Sequence, residues 1–228
     1  MRLRIWWKRS GKQSHDSLPF PARPDSRIAQ VGDFPILTGP AWFYVEWWEA
    51  LRKLHPDILA GHRDALRRLA ELMTRRNIDF PLEHALFSLT RVGERPLPEA
   101  ARHQLWKAFG VPVYELYVTG NGIILAGECE AHSGWHVNPK TARISKLAGE
   151  PHVVLNRLGE DGREFQAVGM GFTADVTVEP CDCGQSTPRV VNLPTSAGHS
   201  VMPQLAARTP SSGVLVPPRL LSSGASQC

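Results

Sequence analysis

Four residues in this chain have the types and spacing to hold a metal ion. Cys129 and His136 lie seven positions apart around Gly134, and Cys181-Asp182-Cys183-Gly184 adds two thiols some fifty residues later. Three sulfurs and one imidazole suit tetrahedral Zn²⁺, which takes Cys thiolate and His nitrogen. His132, three after Cys129, competes with His136 for the fourth position. Two other readings stay open: buried reduced thiols, since free Cys often behaves as a small hydrophobe, and a redox pair. Cys228, near the C-terminal end, is left out of the set. The remaining candidates for nucleophilic or hydrolytic chemistry are poor. His55, His62, His84, His103, His152 and His199 have no Ser or Cys at catalytic spacing and read as packing or surface residues. There is no Gly-x-Ser-x-Gly elbow and no His-Glu-x-x-His zinc helix.

Composition sets the frame for these residues. The 228 residues suffice for one domain or two small ones, and 42% hydrophobic with 21% charged residues is ordinary for a globular protein. The formal charge of +4 permits an anionic ligand without requiring nucleic acid. The basic start (Arg2, Arg4, Lys8, Arg9 around Trp6 and Trp7) reads as a solvated terminus. No apolar run approaches the ~20 residues of a membrane span, so the expectation is a cytoplasmic protein with neither a membrane nor a nucleic-acid partner. In a reducing compartment four cysteines argue against a disulfide framework.

Three segments follow from the pattern: an irregular arm over 1–40 with one or two short elements, an α/β domain over 41–193, and a low-order Pro/Ser/Gly-rich tail over 194–228. Helices are expected near 42–55, where Trp47, Trp48, Leu51 and Leu54 recur at helical spacing, near 63–76 and near 98–109. In the second, Leu66, Leu69 and Met73 share a face opposite Arg67, Arg68, Arg75 and Arg76, and the stretch Asn77-Ile78-Asp79-Phe80-Pro81 is expected to end it, since a residue before Pro resists helical torsions. The third opens on Pro96-Leu97-Pro98 and stops at Phe109-Gly110. Strands are expected at 56–61, 85–89, 153–155, 165–168 and 176–178, with another ending at Tyr117; Gly159-Glu160-Asp161-Gly162 reads as a hairpin turn.

Taken in order, several strings resemble the phenylacetate–CoA ligase branch of the AMP-forming acyl-adenylate synthetases. They are Leu54-His55-Pro56-Asp57-Ile58-Leu59-Ala60-Gly61, Val92-Gly93-Glu94-Arg95-Pro96-Leu97, and Phe109-Gly110-Val111-Pro112-Val113-Tyr114-Glu115-Leu116-Tyr117. Gly127-Glu128-Cys129 through Ser133-Gly134-Trp135-His136 and Pro180-Cys181-Asp182-Cys183-Gly184 through Pro188-Arg189 complete a span of about 140 residues. The resemblance implies a mixed sheet with flanking helices, like the second part of the ligase large domain, followed by a β-rich zinc-bearing segment. It also implies that the Cys129, His136, Cys181, Cys183 set is a structural zinc site. Such ligases join a carboxylic acid to ATP as an acyl-adenylate, with Mg²⁺, and pass the acyl group to CoA.

By the same resemblance Gly93 and Glu94 line the adenine and acyl side of the pocket. Tyr117 opens the family's Tyr-Gly-Ser-Thr-Glu loop, with Thr119 beside the nucleotide, and Asp175 holds the ribose hydroxyls. The departures are specific. Asn121 stands where the family carries a Mg²⁺-binding Glu, and Met170-Gly171 where it carries Arg-Tyr. Ser10-Gly11-Lys12 is a poor substitute for the phosphate loop, and no lid lysine follows Leu193. The expectation is an aryl- or acyl-carboxylate and nucleotide site that is weak or inactive unaided. Catalysis would then depend on a partner chain supplying the missing half. The competing expectation is a non-catalytic relative serving as a zinc-stabilised binding module. Uncovered edges predict self-association in either case.

Overall fold

The structure is a computed structural model that describes residues 20–32, 42–44, 48–146, 152–159 and 161–193, apart from 24 and 81. The basic N-terminal segment, Ser10-Gly11-Lys12, Trp47, and the tail 194–228 with Cys228 lie outside the described residues.

The parallel half of the main sheet comes first along the chain. Strands β1 (Ile28–Val31), β2 (Trp42–Tyr44), β3 (Ile58–His62), β4 (Ala85–Arg91) and β5 (Val113–Val118) lie side by side in the order β2-β1-β3-β4-β5, all parallel. The helices α1 (Trp48–Leu54), α2 (Arg63–Arg76) and α3 (Glu99–Phe109) are interspersed among these strands along the chain. β3, β4 and β5 are nearly continuous apolar runs, as strands buried on both faces must be. On one face Leu59, Leu86 and Val113 pack with Leu51 of α1, Leu66 and Met73 of α2 and Leu105 and Phe109 of α3. On the other Ile58, Phe87 and Leu116 form a second core, which Phe20 joins through an edge-to-face contact with Tyr114 at 5.4 Å.

Beyond β5 the direction alternates. β6 (Ile124–Glu128), β7 (Trp135–Val137), β12 (Arg189–Val191) and β11 (Asp175–Thr177) continue the sheet antiparallel, giving nine strands in all. A separate three-stranded antiparallel sheet, β8 (Ala142–Lys146), β9 (His152–Leu158) and β10 (Glu164–Thr173), shares a core with them through Trp135, Leu155, Met170 and Phe172.

Several expectations change here. The stretch 42–55 is not one helix: 42–44 pairs with β1 as a strand, and the helix begins at Trp48. Its helical spacing was real only over the last two turns, while the Trp-Phe-Tyr run suits a pleated strand. The segment 1–40 supplies β1, an interior strand with Ile28 and Ala29 fully buried. α2 ends at Arg76, as expected, five residues ahead of Pro81. Asn77 adopts a left-handed cap (φ 48°) and donates its N–H to Met73 and Thr74 carbonyls, so the cap, not the proline, stops the helix. α3 starts after Pro98 and ends at left-handed Gly110, as expected. The expected strands 153–155 and 165–168 fall inside β9 and β10, and Gly159-to-Gly162 turns between them.

Candidate functional site

Backbone pairing brings the four candidate ligands together from two distant parts of the chain. Cys129 follows β6, and the β6–β7 hairpin sets Gly127 opposite His136. β12 then returns beside β7 with Arg189 opposite His136, which carries the Cys181–Gly184 turn back to the hairpin. That turn closes through Gly184 N–H donating to Cys181 O at 2.8 Å, with Gly184 at φ 82°. Gly134 makes the approach possible: it sits at φ 118°, and a Cβ there would lie 2.4 Å from the Val190 carbonyl oxygen.

The ligand atoms of Cys129, His136, Cys181 and Cys183 all lie within 4.8 Å of one another. Cys129 Sγ and Cys181 Sγ are 3.6 Å apart, and Cys183 Sγ is 3.4 Å from His136 Nε2. Zn–S bonds of about 2.3 Å in a tetrahedron separate sulfurs by roughly 3.8 Å, so the donor set fits Zn²⁺ in type, number and spacing. The surroundings fit as well. His136 Nδ1 pairs with Thr187 Oγ1 at 2.8 Å, leaving Nε2 turned to the cluster, the outer support metal-binding histidines usually have. Arg189 donates to Ser133 Oγ at 2.6 Å and to Ser133 O at 3.2 Å, and Ser133 Oγ lies 3.2 Å from Cys181 Sγ.

The thiols are electrostatically unequal. Burial raises Cys181, but hydrogen bonds from Ser133, the Cys183 backbone and His136 outweigh it and bring the thiol down to about 6. Burial, with Cys183 and Cys181 nearby, pushes Cys129 up to about 12. Sulfurs this close ionise together only around a cation. His132 is not part of the cluster. Its ring stacks on Tyr114 at 4.9 Å, nearly parallel, and its Nδ1 faces Glu128 Oε2 at 3.7 Å. Ser133, Thr187 and Arg189 fall within the strings quoted from the sequence, but they were given no role there.

Of the residues expected around a nucleotide, Gly93, Glu94, Tyr117, Thr119 and Asn121 lie toward the other end of β5, where β3, β4 and β5 finish. Parallel α/β sheets bind ligands outside the carboxyl ends of their strands. Glu94 accepts from Arg91 N–H at 3.1 Å and meets His62 Nε2 at 3.1 Å, joining the ends of β3 and β4. His62, read from sequence as packing or surface, thereby enters this group; its position at a strand end just before a helix was the available signal. Tyr117 is fully buried, stacked on Trp135 at 5.0 Å. Its hydroxyl accepts from Gly93 N–H at 3.1 Å and donates to Met170 O at 3.4 Å. Burial, with Glu94 nearby, pushes its ionisation far up against the Gly93 hydrogen bond, so the phenol stays neutral.

Thr119 donates to Asn121 Oδ1 at 2.5 Å and accepts from Ile123 N–H at 3.0 Å, so Thr119 and Asn121 close a turn of their own. Asp175 opens β11, apart from β4 and β5 in the sheet, and accepts from Asn192 Nδ2 at 2.6 Å. Gly93, Glu94 and Tyr117 are therefore brought together, whereas Asp175 is held elsewhere by its own partner. The two ends of the sheet are distinct places: Tyr114, beside the Cys129 loop, and Thr119 are separated by five strand residues, about 16 Å.

A buried ionic network braces the cysteine end. Arg102 of α3 donates to Glu128 Oε1 at 2.8 Å and Oε2 at 2.9 Å, and Glu115 N–H donates to Glu128 Oε2 at 2.8 Å. The Glu115 carboxyl accepts from Thr90 Oγ1 and from Leu97 N–H, the latter at 2.7 Å.

No protein-family profile matches this chain, and no curated protein matches it by sequence. Solved structures do match. 2-Hydroxyisobutyryl-CoA ligase, in an open conformation with 2-HIB-AMP and CoA, superposes with a TM-score of 0.54 at 14% identity, over 73% of this chain and 44% of the ligase. The same ligase in its postadenylation state with R3-HIB-AMP gives 0.54 at 16% identity, over 73% and 42%. Its thioesterification state with 2-HIB-AMP and CoA gives 0.54 at 13% over the same shares. The chain thus spans less than half the length of that enzyme. What its mixed sheet shares with these structures is the fold of part of an adenylate-forming acyl-CoA ligase domain.

Proposed function

We propose that this chain is a ligase-type binding domain for a nucleotide and a carboxylic acid, pinned at its β-rich end by a structural Zn²⁺ on Cys129, His136, Cys181 and Cys183. The observation that carries the first half is the joining of strand ends through His62, Glu94, Gly93 and Tyr117 in a fold shared with an adenylate-forming ligase. The second half rests on the closed set of three thiols and one imidazole. Four protein donors leave no open position, so the metal serves architecture and not substrate activation.

The ordered strings favour an aryl acid of the phenylacetate class, with ATP, Mg²⁺ and CoA as co-substrates of the complete reaction. This chain alone is a weak catalyst in that reading. Asn121 is neutral where a carboxylate would hold Mg²⁺, and its amide oxygen is already taken by Thr119. Those same internal bonds favour a second reading, a non-catalytic interaction module that keeps the zinc knot and has given up the nucleotide. A complementing chain would be needed for turnover in the first reading and irrelevant in the second.

Calorimetry of the zinc-loaded protein with ATP and Mg²⁺, with and without phenylacetate, separates the two. Binding that weakens at least tenfold in Glu94→Gln supports the ligase-type site. A folded, zinc-loaded sample that gives no heat with either ligand retires it and leaves the interaction module.

A further inference from the structure

α3 presents a stripe to solvent whose contacts among the described residues are the Glu99–Arg102 ion pair at 3.5 Å and the His103–Trp106 ring contact at 5.7 Å. Glu99, His103, Trp106 and Lys107 are exposed, and Trp106 keeps 51% of its surface open, one of two large apolar side chains exposed among the described residues. Beside it lies a cleft of about 290 Å³ formed by the α3 residues Glu99, Arg102, His103 and Trp106 together with Pro112, Val113 and His132. Arg102 is already committed to Glu128 at 2.8 and 2.9 Å, so Glu99, with its side chain 79% exposed and 3.5 Å from Arg102, brings a carboxylate the buried network does not require.

The charges on this stripe are self-complementary. Glu99 and Lys107 each stand four residues from His103, about 6 Å along the axis in opposite directions. Two α3 helices packed antiparallel about a two-fold axis at His103 would set each Glu99 against the other's Lys107. Trp106, three residues past the axis, would then lie over the partner's Ala100 and enter the cleft beside the partner's His103. Isologous interfaces require this kind of pairing, in which one patch complements itself. Exposed Trp is also the side chain most often found at the energetic centre of an interface.

We infer that α3 is the contact surface of a symmetric dimer of this chain, with Trp106 as the anchor and the two Glu99–Lys107 pairs setting the antiparallel register. The inference stands on the helix surface alone and does not depend on ligand binding at the strand ends.

Sedimentation of the full-length, zinc-loaded chain tests it. The wild type should dimerise. Trp106→Ala should raise the dimer dissociation constant roughly thirtyfold. Glu99→Lys or Lys107→Glu alone should raise it roughly tenfold by placing like charges opposite each other. The double variant Glu99→Lys with Lys107→Glu should return it close to wild type, because both cross-pairs are restored with reversed sign. All three positions are exposed, and melting curves that match at concentrations where every variant is monomeric confirm that the fold survives. A wild type that remains monomeric at about 100 µM overturns the inference and leaves the cleft to a foreign helix or a small ligand. Single reversals without effect, or a double variant that fails to recover, overturn it as well.

Discussion

Glu115 shows what one buried side chain imposes on the pH behaviour of the molecule. It is 1% exposed, and burial together with Glu128 raises its carboxyl to about 7 from 4.5, against the opposing pull of Thr90, Leu97 N–H and Arg102. Below about pH 4.5 folded and unfolded chains both hold the proton, and no penalty arises. As pH rises from there to about 7, the unfolded chain releases its proton first, so Glu115 takes stability away. Above that window the full difference of roughly 3 kcal/mol applies. Glu115→Gln keeps an acceptor for Thr90 and Leu97 but cannot ionise. Urea denaturation of wild type and variant should show the variant gaining relative stability from pH 5 to 8 by about 2–3 kcal/mol. A constant difference across that range would mean Glu115 titrates normally.

Thr187 provides a second residue-scale prediction. Its hydroxyl lies 2.8 Å from His136 Nδ1, a contact that orients the ring toward Cys183. Thr187→Val preserves shape and removes the partner, so zinc affinity measured against a competing chelator should fall about tenfold to a hundredfold with the fold intact. The four candidate ligands were legible in sequence because Cys and His are few and their metal chemistry is narrow. Thr187, Ser133 and Arg189 were not, because common polar residues acquire meaning only when β7 and β12 pair across some fifty intervening residues.

At the scale of elements, legibility followed locality. α2 could be read from its periodicity, and α3 from the Pro and Gly that bound it, all signals contained within a dozen residues. β11 overlaps the strand expected at 176–178, but β7 and β12 have three residues each, too short to show a period of two, and they pair with each other across some fifty residues. What holds them in register includes Gly134, where β7 begins against Val190. Gly134→Ala would force a side chain into a left-handed conformation with its Cβ 2.4 Å from the Val190 oxygen. The expected loss is about 2–4 kcal/mol, accompanied by weaker zinc retention, because the same backbone carries Cys129 and His136. Thermal melts paired with metal analysis check both. An Ala variant of wild-type stability would show that the β7–β12 contact yields easily.

For the whole molecule, the two halves of the sheet rest on different supports. β1, β3, β4 and β5 are sandwiched between two apolar clusters and carry their helices with them. β6, β7, β12 and β11 share the core around Trp135 and, in the proposed reading, a metal that ties residues 129–136 to 181–183. Zinc bound only by the folded chain adds stability through mass action, about 4 kcal/mol when free metal exceeds its dissociation constant a thousandfold. Removing it also leaves buried thiols and an imidazole crowded together without a cation. Chelation should therefore loosen the antiparallel half first. In hydrogen exchange, amides of β6, β7 and β12 should lose protection when the metal is stripped, while those of β3, β4 and β5 keep theirs. Because His62 and Glu94 belong to the retained half, about 16 Å from the cysteine end, any nucleotide binding should weaken less than the protection of β7 does. Uniform loss across all nine strands would show that the metal holds up the entire sheet, and that the strand-end site cannot persist without it.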